Sequence, residues 1–587
     1  MGCTLSASTP GDDPASTPTM AISEKYSSRQ EQTELQNLDD ESSSSLIDNE
    51  AQTFAVQRNS GGSVFDTFNH FSTGGVRLIS HIPTLFAALI PSFVLGFASN
   101  RHSDDNSKKK TQKIAALDGL RGVACLFVFH AHYAYSFHTW YDSEDPNNFK
   151  SKIMYQPFII LTWCGPAMVD VFFFISGYVL VSKALRLVRS DNIGDALSNI
   201  SSAVFRRALR LYLPSMALIL TEAFMAGSHL FDAGNVYYHE THDPNYGPSE
   251  TPPPYLGSMY LQFVDALKDC YRLVDNTIPW GRFNFPYEFD ADQRPEGTVY
   301  DKHLWTIPTE FKCSMLIFMI LIATSQIQAR WRLLIHVAFC VNCLFMERYS
   351  ELLFITGMLF AEIDIIRQEN ACSTVGDIHL STTPPGSPSP AAATSSASIG
   401  TLINAAKVKK YWVPSRDLSL FICGLYFLSI PPRGSDAYPS FLAIMKCLPE
   451  WIADKDKFVS ALGAIMVTWP VATSTVIAPL FANPVSHYLG QVSFALYLVH
   501  GAIIRSLWYA LLPSFELFIA GVKMSDMTSF QFFILVVSGY MVVFPVTIWA
   551  ADVFWRLIDL PSISLTRWVE VQLKSKQQVT TRRPHMA

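Results

Sequence analysis

The chain is short of charge. Only 16% of its 587 residues are Asp, Glu, Lys or Arg, where a soluble domain carries about 25%. Hydrophobic residues make up 49%, and the mean hydropathy is +0.19. A mainly soluble or disordered protein is excluded. With 29 glycines, 34 prolines and 10 cysteines, a collagen-like repeat and a disulfide scaffold are excluded too. The cysteines fall mostly in apolar runs, where they are expected to pack as small hydrophobes. No CxxC…HxxxH zinc spacing is present, so no metal is expected. No Gly-x-Ser-x-Gly elbow offers a covalent serine. No basic block suggests nucleic acid, and there is neither a cleavable signal peptide nor an internal repeat. What remains is an all-α, polytopic membrane bundle with polar appendages.

Residues 1–75 hold eleven acidic and three basic residues in a Ser/Thr/Gln-rich stretch. Such a segment cannot bury a core and is expected to be a disordered acidic tail. Its start, Met1-Gly2-Cys3-Thr4-Leu5-Ser6, fits the myristoylation pattern with Gly2 as acceptor, and Cys3 beside it suits a palmitoyl chain. Two acyl chains anchor stably where one anchors marginally. Residues 76–110 comprise an apolar stretch, 78–98, broken by Pro83 and Pro91, and a basic linker. They are expected to form an interfacial or re-entrant element rather than a further span.

Ten stretches are long enough to cross a bilayer: 114–136, 156–181, 208–227, 305–324, 331–347, 350–367, 417–432, 458–480, 487–511 and 528–556. Six basic residues against two acidic ones place 182–210 in the cytosol, and four against twelve place 229–301 outside. The same bias puts 368–410 and a basic tail, 561–587, inside. Ten spans then leave both termini cytosolic, in the plasma membrane or an endomembrane. The membrane domain is 111–560, with 229–301 its outer loop and the Ser/Thr/Pro-rich 373–400 a disordered cytosolic insert. Cys270 and Cys447 fall in outer loops; a disulfide and two reduced thiols are both open there.

Ionisable groups inside spans are costly and usually have a task. The first span reads Leu117-Asp118-Gly119-Leu120-Arg121-Gly122 and ends near His130-Ala131-His132. Arg121 and His132 are about three turns apart, on one face and separated by about 16 Å along the axis. His130 lies on another face. The second span carries Asp170 ahead of Val171 to Tyr178. The third begins with Arg207-x-x-Arg210-x-x-x-Pro214, whose arginines share a face. The fourth reads His303-Leu304-Trp305-Thr306-Ile307-Pro308-Thr309-Glu310-Phe311, and the ninth Gly490 to Tyr497-Leu498-Val499-His500.

These five blocks, in this order over about 110–510, resemble those of the acyltransferase 3 family of integral-membrane acyltransferases, its fungal branch in particular. Arg121 with ten residues and then His132 is similar to the family's opening signature. Trp305 to Glu310 resembles its Trp-Ser-Leu-x-x-Glu block, with Thr-Ile-Pro in place of Ser-Leu. Phe494 stands where the last block usually has Tyr.

The resemblance implies an enzyme that moves an acyl group, often acetyl, from coenzyme A to a hydroxyl of a sugar, lipid or natural product. Acyl-CoA is then a co-substrate, with no tightly bound cofactor, and membrane lipids are the remaining partner. His132 is the expected general base, because histidine takes protons at neutral pH; His130 is the competing candidate. Glu310 is a second acid/base group or an orienter, and Asp170 orients the histidine or buttresses Arg121. Arg121, Arg207 and Arg210 suit the phosphates of coenzyme A. Trp305, Tyr497 and His500 would line the acceptor side. The alternative is a transporter or flippase using the same intramembrane polar groups.

Overall fold

Helices begin where the sequence supplies a cap. Asn192, Asp454, Asn483 and Thr528 each accept a backbone N–H from the first turn they precede, and Thr528 forms a reciprocal capping box with Gln531. Between caps the runs are apolar on all sides, the pattern of helices buried in protein or lipid. The computed structural model describes residues 92, 112–140, 155–241, 250–275, 298–380, 415–432, 435 and 438–574. The lipidation residues Gly2 and Cys3, and the tail and linker over 1–110 apart from Ser92, lie outside the described residues.

No strand occurs among the described residues. The α-helices of more than four residues are α1 (Gln112–Ala134), α2 (Gly165–Arg189), α3 (Ile193–Gly227), α4 (Asp232–Thr241), α5 (Met259–Asp275), α6 (Thr306–Thr324), α7 (Ala329–Phe345), α8 (Tyr349–Leu380), α9 (415–428), α10 (Pro439–Cys447), α11 (Lys455–Thr473), α12 (Pro484–Ile503), α13 (Tyr509–Ile519), α14 (Ser529–Phe554) and α15 (Leu560–Leu573). Among the described residues, five helical stretches are long and apolar enough to cross a membrane: Gly165–Arg189, Ile193–Gly227, Lys302–Thr324, Pro484–Ile519 and Ser529–Leu573. The other five expected spans coincide with α1, α7, α8, α9 and α11. The segment expected as the outer loop contributes α4 and α5.

Two glycines set the central contact. A Cβ on Gly122 would lie 2.4 Å from the backbone nitrogen of Gly490, and one on Gly490 would lie 2.5 Å from the carbonyl oxygen of Asp118. Only hydrogen side chains allow α1 and α12 to touch so closely. One turn on from that contact, Cys125 Sγ donates to the Ser493 carbonyl at 3.0 Å. The two helices therefore run parallel. Around them α2, α6, α8 and α11 close an apolar core that includes Phe174, Ile317, Leu353, Phe354 and Val467. Gly177 packs against the Phe354 carbonyl, where a Cβ would sit at 2.1 Å, so a glycine here serves close packing.

Two boundaries differ from expectation. The helix of the last span does not stop near 556 but continues through a π-helical turn, Trp555–Asp559, into α15. There Glu570 accepts from Ser202 and pairs with Arg206 at 3.6 Å, which docks α15 on α3. The insert expected from 373 begins as helix, because α8 runs to Leu380. Cys340 and Cys343 form a CxxC pair on α7 that the zinc-spacing reading passes over; both thiols are free, as are Cys270 and Cys447.

Candidate active site

Three histidines from distant parts of the chain meet at one end of the α1–α12 pair. His132 comes from the last turn of α1, His500 from α12, and His303 from the single 3₁₀ turn Lys302–Trp305 that opens α6. Their ring centroids are 4.0 Å (His132–His303), 4.9 Å (His132–His500) and 4.7 Å (His303–His500) apart. Gly501 makes room for them, since a Cβ there would lie 2.6 Å from His303 Nδ1. Tyr497 fixes the backbone of the turn. Its hydroxyl donates to the His303 carbonyl and accepts from Thr306 Oγ1 at 2.6 Å.

The ring nitrogens are individually assigned by their partners. Glu250, from the stretch between α4 and α5, accepts from His132 Nδ1 at 2.6 Å and from His303 Nε2 at 3.0 Å, both on Oε1. An ionised carboxylate only accepts, so His132 carries its proton on Nδ1 and its lone pair on Nε2. His303 Nδ1 is 2.6 Å from Asp301 Oδ1. His500 Nδ1 donates to the Leu496 carbonyl at 3.1 Å, which leaves Nε2 as a buried acceptor without a hydrogen-bond partner among the described residues. Behind this layer Arg505, in the π-helical turn Ile504–Trp508, donates to Glu222 at 2.7 Å and to the Tyr300 carbonyl at 2.6 Å. It lies 3.7 Å from Asp301. Such π-turns recur at functional sites.

Burial opposes ionisation of Glu250, but the charge on His303 and the hydrogen bonds from His132 and His303 outweigh it. The carboxyl is held well below its ordinary 4.5. Asp301 behaves likewise: burial raises it, and His303 and Arg505 lower it further than burial raises it.

The arginines form a second cluster. Arg207 donates to Glu310 Oε1 at 2.5 Å and to Ser314 at 3.2 Å, and Ser176 donates to the same Glu310 oxygen at 3.1 Å. Arg121 and Arg210 are within electrostatic range of Arg207. The three expected phosphate ligands are thus brought together. Tyr497 is within electrostatic range of both Asp301 and Glu310.

Not every expected residue joins these clusters. Glu310 belongs with the arginines, where Arg207 and Ser176 occupy it, and not with His132. Asp170 neither orients His132 nor buttresses Arg121 through any contact its two oxygens make. One is 3.1 Å from Lys457 Nζ, and the other accepts from Ser460 at 2.6 Å. His130 points to another face, where Nε2 meets the Tyr540 hydroxyl at 2.6 Å among Phe129 and Trp163. Trp305 ends the turn that carries His303. Glu250, Asp301, His303, Glu222 and Arg505 were not anticipated. His303 and Asp301 do stand immediately before the Leu304-Trp305 block. Nothing local marks Glu250.

One nitrogen from each of His132, His303 and His500 lies within 4.8 Å of the others, an arrangement that could also hold a cation. Cysteine spacing could not have revealed it.

The family model for an acyltransferase domain (acyltransferase 3) matches residues 114–556. O-acetyltransferase PaAT-1 of Phomopsis amygdali is 28% identical over 491 residues, 83% of this chain and 88% of that protein. Acyltransferase R4 of a Phoma species is 23% identical over 76% of this chain and 94% of its own. Acyltransferase clz18 of Cochliobolus lunatus is 24% identical over 68% and 84%. No solved structure matches.

Proposed function

The chain belongs to the acyltransferase domain family, and on that premise we propose that it moves an acyl group, acetyl in the simplest case, from acyl-CoA to a hydroxyl. The acceptor class is a sugar, a lipid or a secondary metabolite. The observation that carries this reading is the state of His132. Its Nδ1 is committed to Glu250, so Nε2 presents a lone pair among groups that can accommodate the proton it takes.

In this scheme acyl-CoA enters from the cytosol, and its phosphates meet Arg121, Arg207 and Arg210. Its acyl arm lies along α1 towards the histidines, about 16 Å further on. His132 Nε2 takes the acceptor's hydroxyl proton as the oxygen attacks the thioester carbonyl. The tetrahedral intermediate collapses with loss of the coenzyme A thiolate, to which His132 returns the proton. Tyr497 and His500 face the acceptor, and Trp305 flanks it. No resident cofactor is required. The relative PaAT-1 is an O-acetyltransferase by name, which supports acetyl as the group moved.

The test is release of free coenzyme A by the purified, detergent-solubilised protein, with a pooled extract of hydroxylated acceptors. Wild type is compared with His132→Ala. Acceptor-dependent release that disappears in the variant supports the reading. Release that survives in the variant removes His132 as the base. Initial rates varied in both substrates should give intersecting lines for direct transfer; parallel lines would mean an acyl-enzyme instead.

A further inference from the structure

His132 does not reach its orientation alone. Its Nδ1 partner, Glu250, lies more than a hundred residues away in a segment that crosses the outer end of the bundle, Glu250-Thr251-Pro252-Pro253-Pro254. That strap is fixed at several points. Lys302 Nζ donates to Thr251 Oγ1 at 3.2 Å, Asn235 to the Pro253 carbonyl at 3.0 Å, and Gln262 to the Pro254 carbonyl at 3.2 Å. Consecutive prolines stiffen it further. Glu250 is also held by His303 Nε2, and His303 in turn by Asp301 and by the Tyr497 hydroxyl on its carbonyl. The contacts form a chain: Asp301, His303, Glu250, His132.

Resting on the reading of His132 as the base, we infer that Glu250 is its positioning residue, and that the proline strap exists to deliver this carboxylate. Glu250 does three things. It fixes the tautomer, so that Nε2 rather than Nδ1 faces the reacting hydroxyl. It fixes the ring plane. It supplies negative charge against the imidazolium formed when His132 takes a proton, the role a buried carboxylate plays beside a catalytic histidine elsewhere. The groups facing His132 are Glu250, His303 and His500, with Tyr135 at a ring distance of 5.0 Å and Asp301 and Arg505 one layer back. Among them Glu250 alone accepts a hydrogen bond from His132 in the described structure. His303 links Glu250 to Asp301 and so positions at second hand.

The experiment uses the full-length protein in detergent, with Glu250→Gln, Glu250→Ala and His303→Gln beside His132→Ala. Acceptor-dependent coenzyme A release, thermal unfolding and metal content are measured on each. Glu250→Gln should lower kcat by about 10²–10⁴-fold while the KM for acyl-CoA stays within about threefold, because the arginine cluster is untouched. His303→Gln should have a smaller effect, about 10–100-fold. Added formate should restore part of the rate to Glu250→Ala, which a merely structural role would not allow. A kcat of Glu250→Gln within threefold of wild type overturns the inference. So does loss of rate that tracks loss of folded protein without formate rescue. Stoichiometric bound metal, lost in Glu250→Gln, overturns it as well by making Glu250 a metal ligand. If His132→Ala stays active, the base reading itself fails; if His132→Ala is inactive and Glu250→Gln active, only the positioning role fails.

Discussion

Gly122 and Gly490 meet backbone to backbone, and ten residues further along each helix His132 and His500 stand with ring centroids 4.9 Å apart. The Cys125–Ser493 hydrogen bond between them keeps the same offset of 368 residues. One register therefore runs from the glycine contact to the histidines. The close approach of α1 and α12 is what brings the two rings together.

Gly122→Ala and Gly490→Ala should both disturb the site although neither touches it. The added methyl would lie 2.4 Å from the Gly490 nitrogen or 2.5 Å from the Asp118 oxygen. Both obstacles are helix backbone, which cannot step aside as a side chain can. The helices must separate, at a cost of about 1–3 kcal/mol. Because a misplacement of about 1 Å can cost about 10²-fold in rate, turnover should fall more than stability alone explains. Gly194→Ala is the control, with nothing within 4 Å of its Cβ. Thermal unfolding and coenzyme A release on the three variants check this.

The arginine cluster should govern the coenzyme and not the chemistry. Arg121→Gln and Arg210→Gln are expected to raise the KM for acetyl-CoA by about tenfold each, since a charge-assisted phosphate contact is worth about 1.5–3 kcal/mol. The KM for a short acetyl thioester without phosphates should not change. Arg207→Gln should do more harm, because it also leaves Glu310 without its cation. Equal effects on both thioesters would show that the arginines hold the bundle together rather than the coenzyme.

His130 and His132 should separate cleanly. His130→Phe removes one hydrogen bond, to Tyr540, in an aromatic pocket on another face of α1. It is expected to cost about 1 kcal/mol of stability and to leave kcat within about threefold. Thermal unfolding alongside turnover measures both. A collapse of kcat in His130→Phe would reverse the assignment made between the two histidines.

The helices and the arginine cluster were legible in the sequence. Long apolar runs bury themselves wherever they fall, and Arg121, Arg207 and Arg210 could be placed at the same end of their helices from span alternation alone. Parallel α1 and α12 agree with that alternation, since seven expected spans separate them. The histidine site was legible only in part. His132 and His500 lie on helices whose period fixes their faces, but their partners lie where no period applies. Glu250 sits in a loop whose path depends on Asn235, Gln262 and Lys302 contacts made only after folding. Asp170 shows the opposite failure. A buried carboxylate in a span invites a catalytic role, yet here it meets Lys457 from α11. Sequence spacing cannot tell which neighbour a buried charge will find.

Acid should loosen the histidine site through Glu250 and Asp301, whose carboxyls are both held below their ordinary values in the folded protein. A carboxyl depressed by folding stabilises the fold fully above its unfolded value, and that contribution is lost as pH falls towards the folded one. The unfolded value for Glu250 is near 4.5. Thermal stability in detergent should therefore hardly depend on these two groups from neutral pH down to about pH 5. Below that it should fall steadily, with uptake of protons on unfolding. Glu250→Gln cannot titrate, so it should be less stable than wild type at pH 7 and should lose less on acidification. The gap between the two unfolding temperatures should narrow as pH drops through 4.5. A constant gap across this range would mean that Glu250 is not ionised against His303 and His132 in the folded protein.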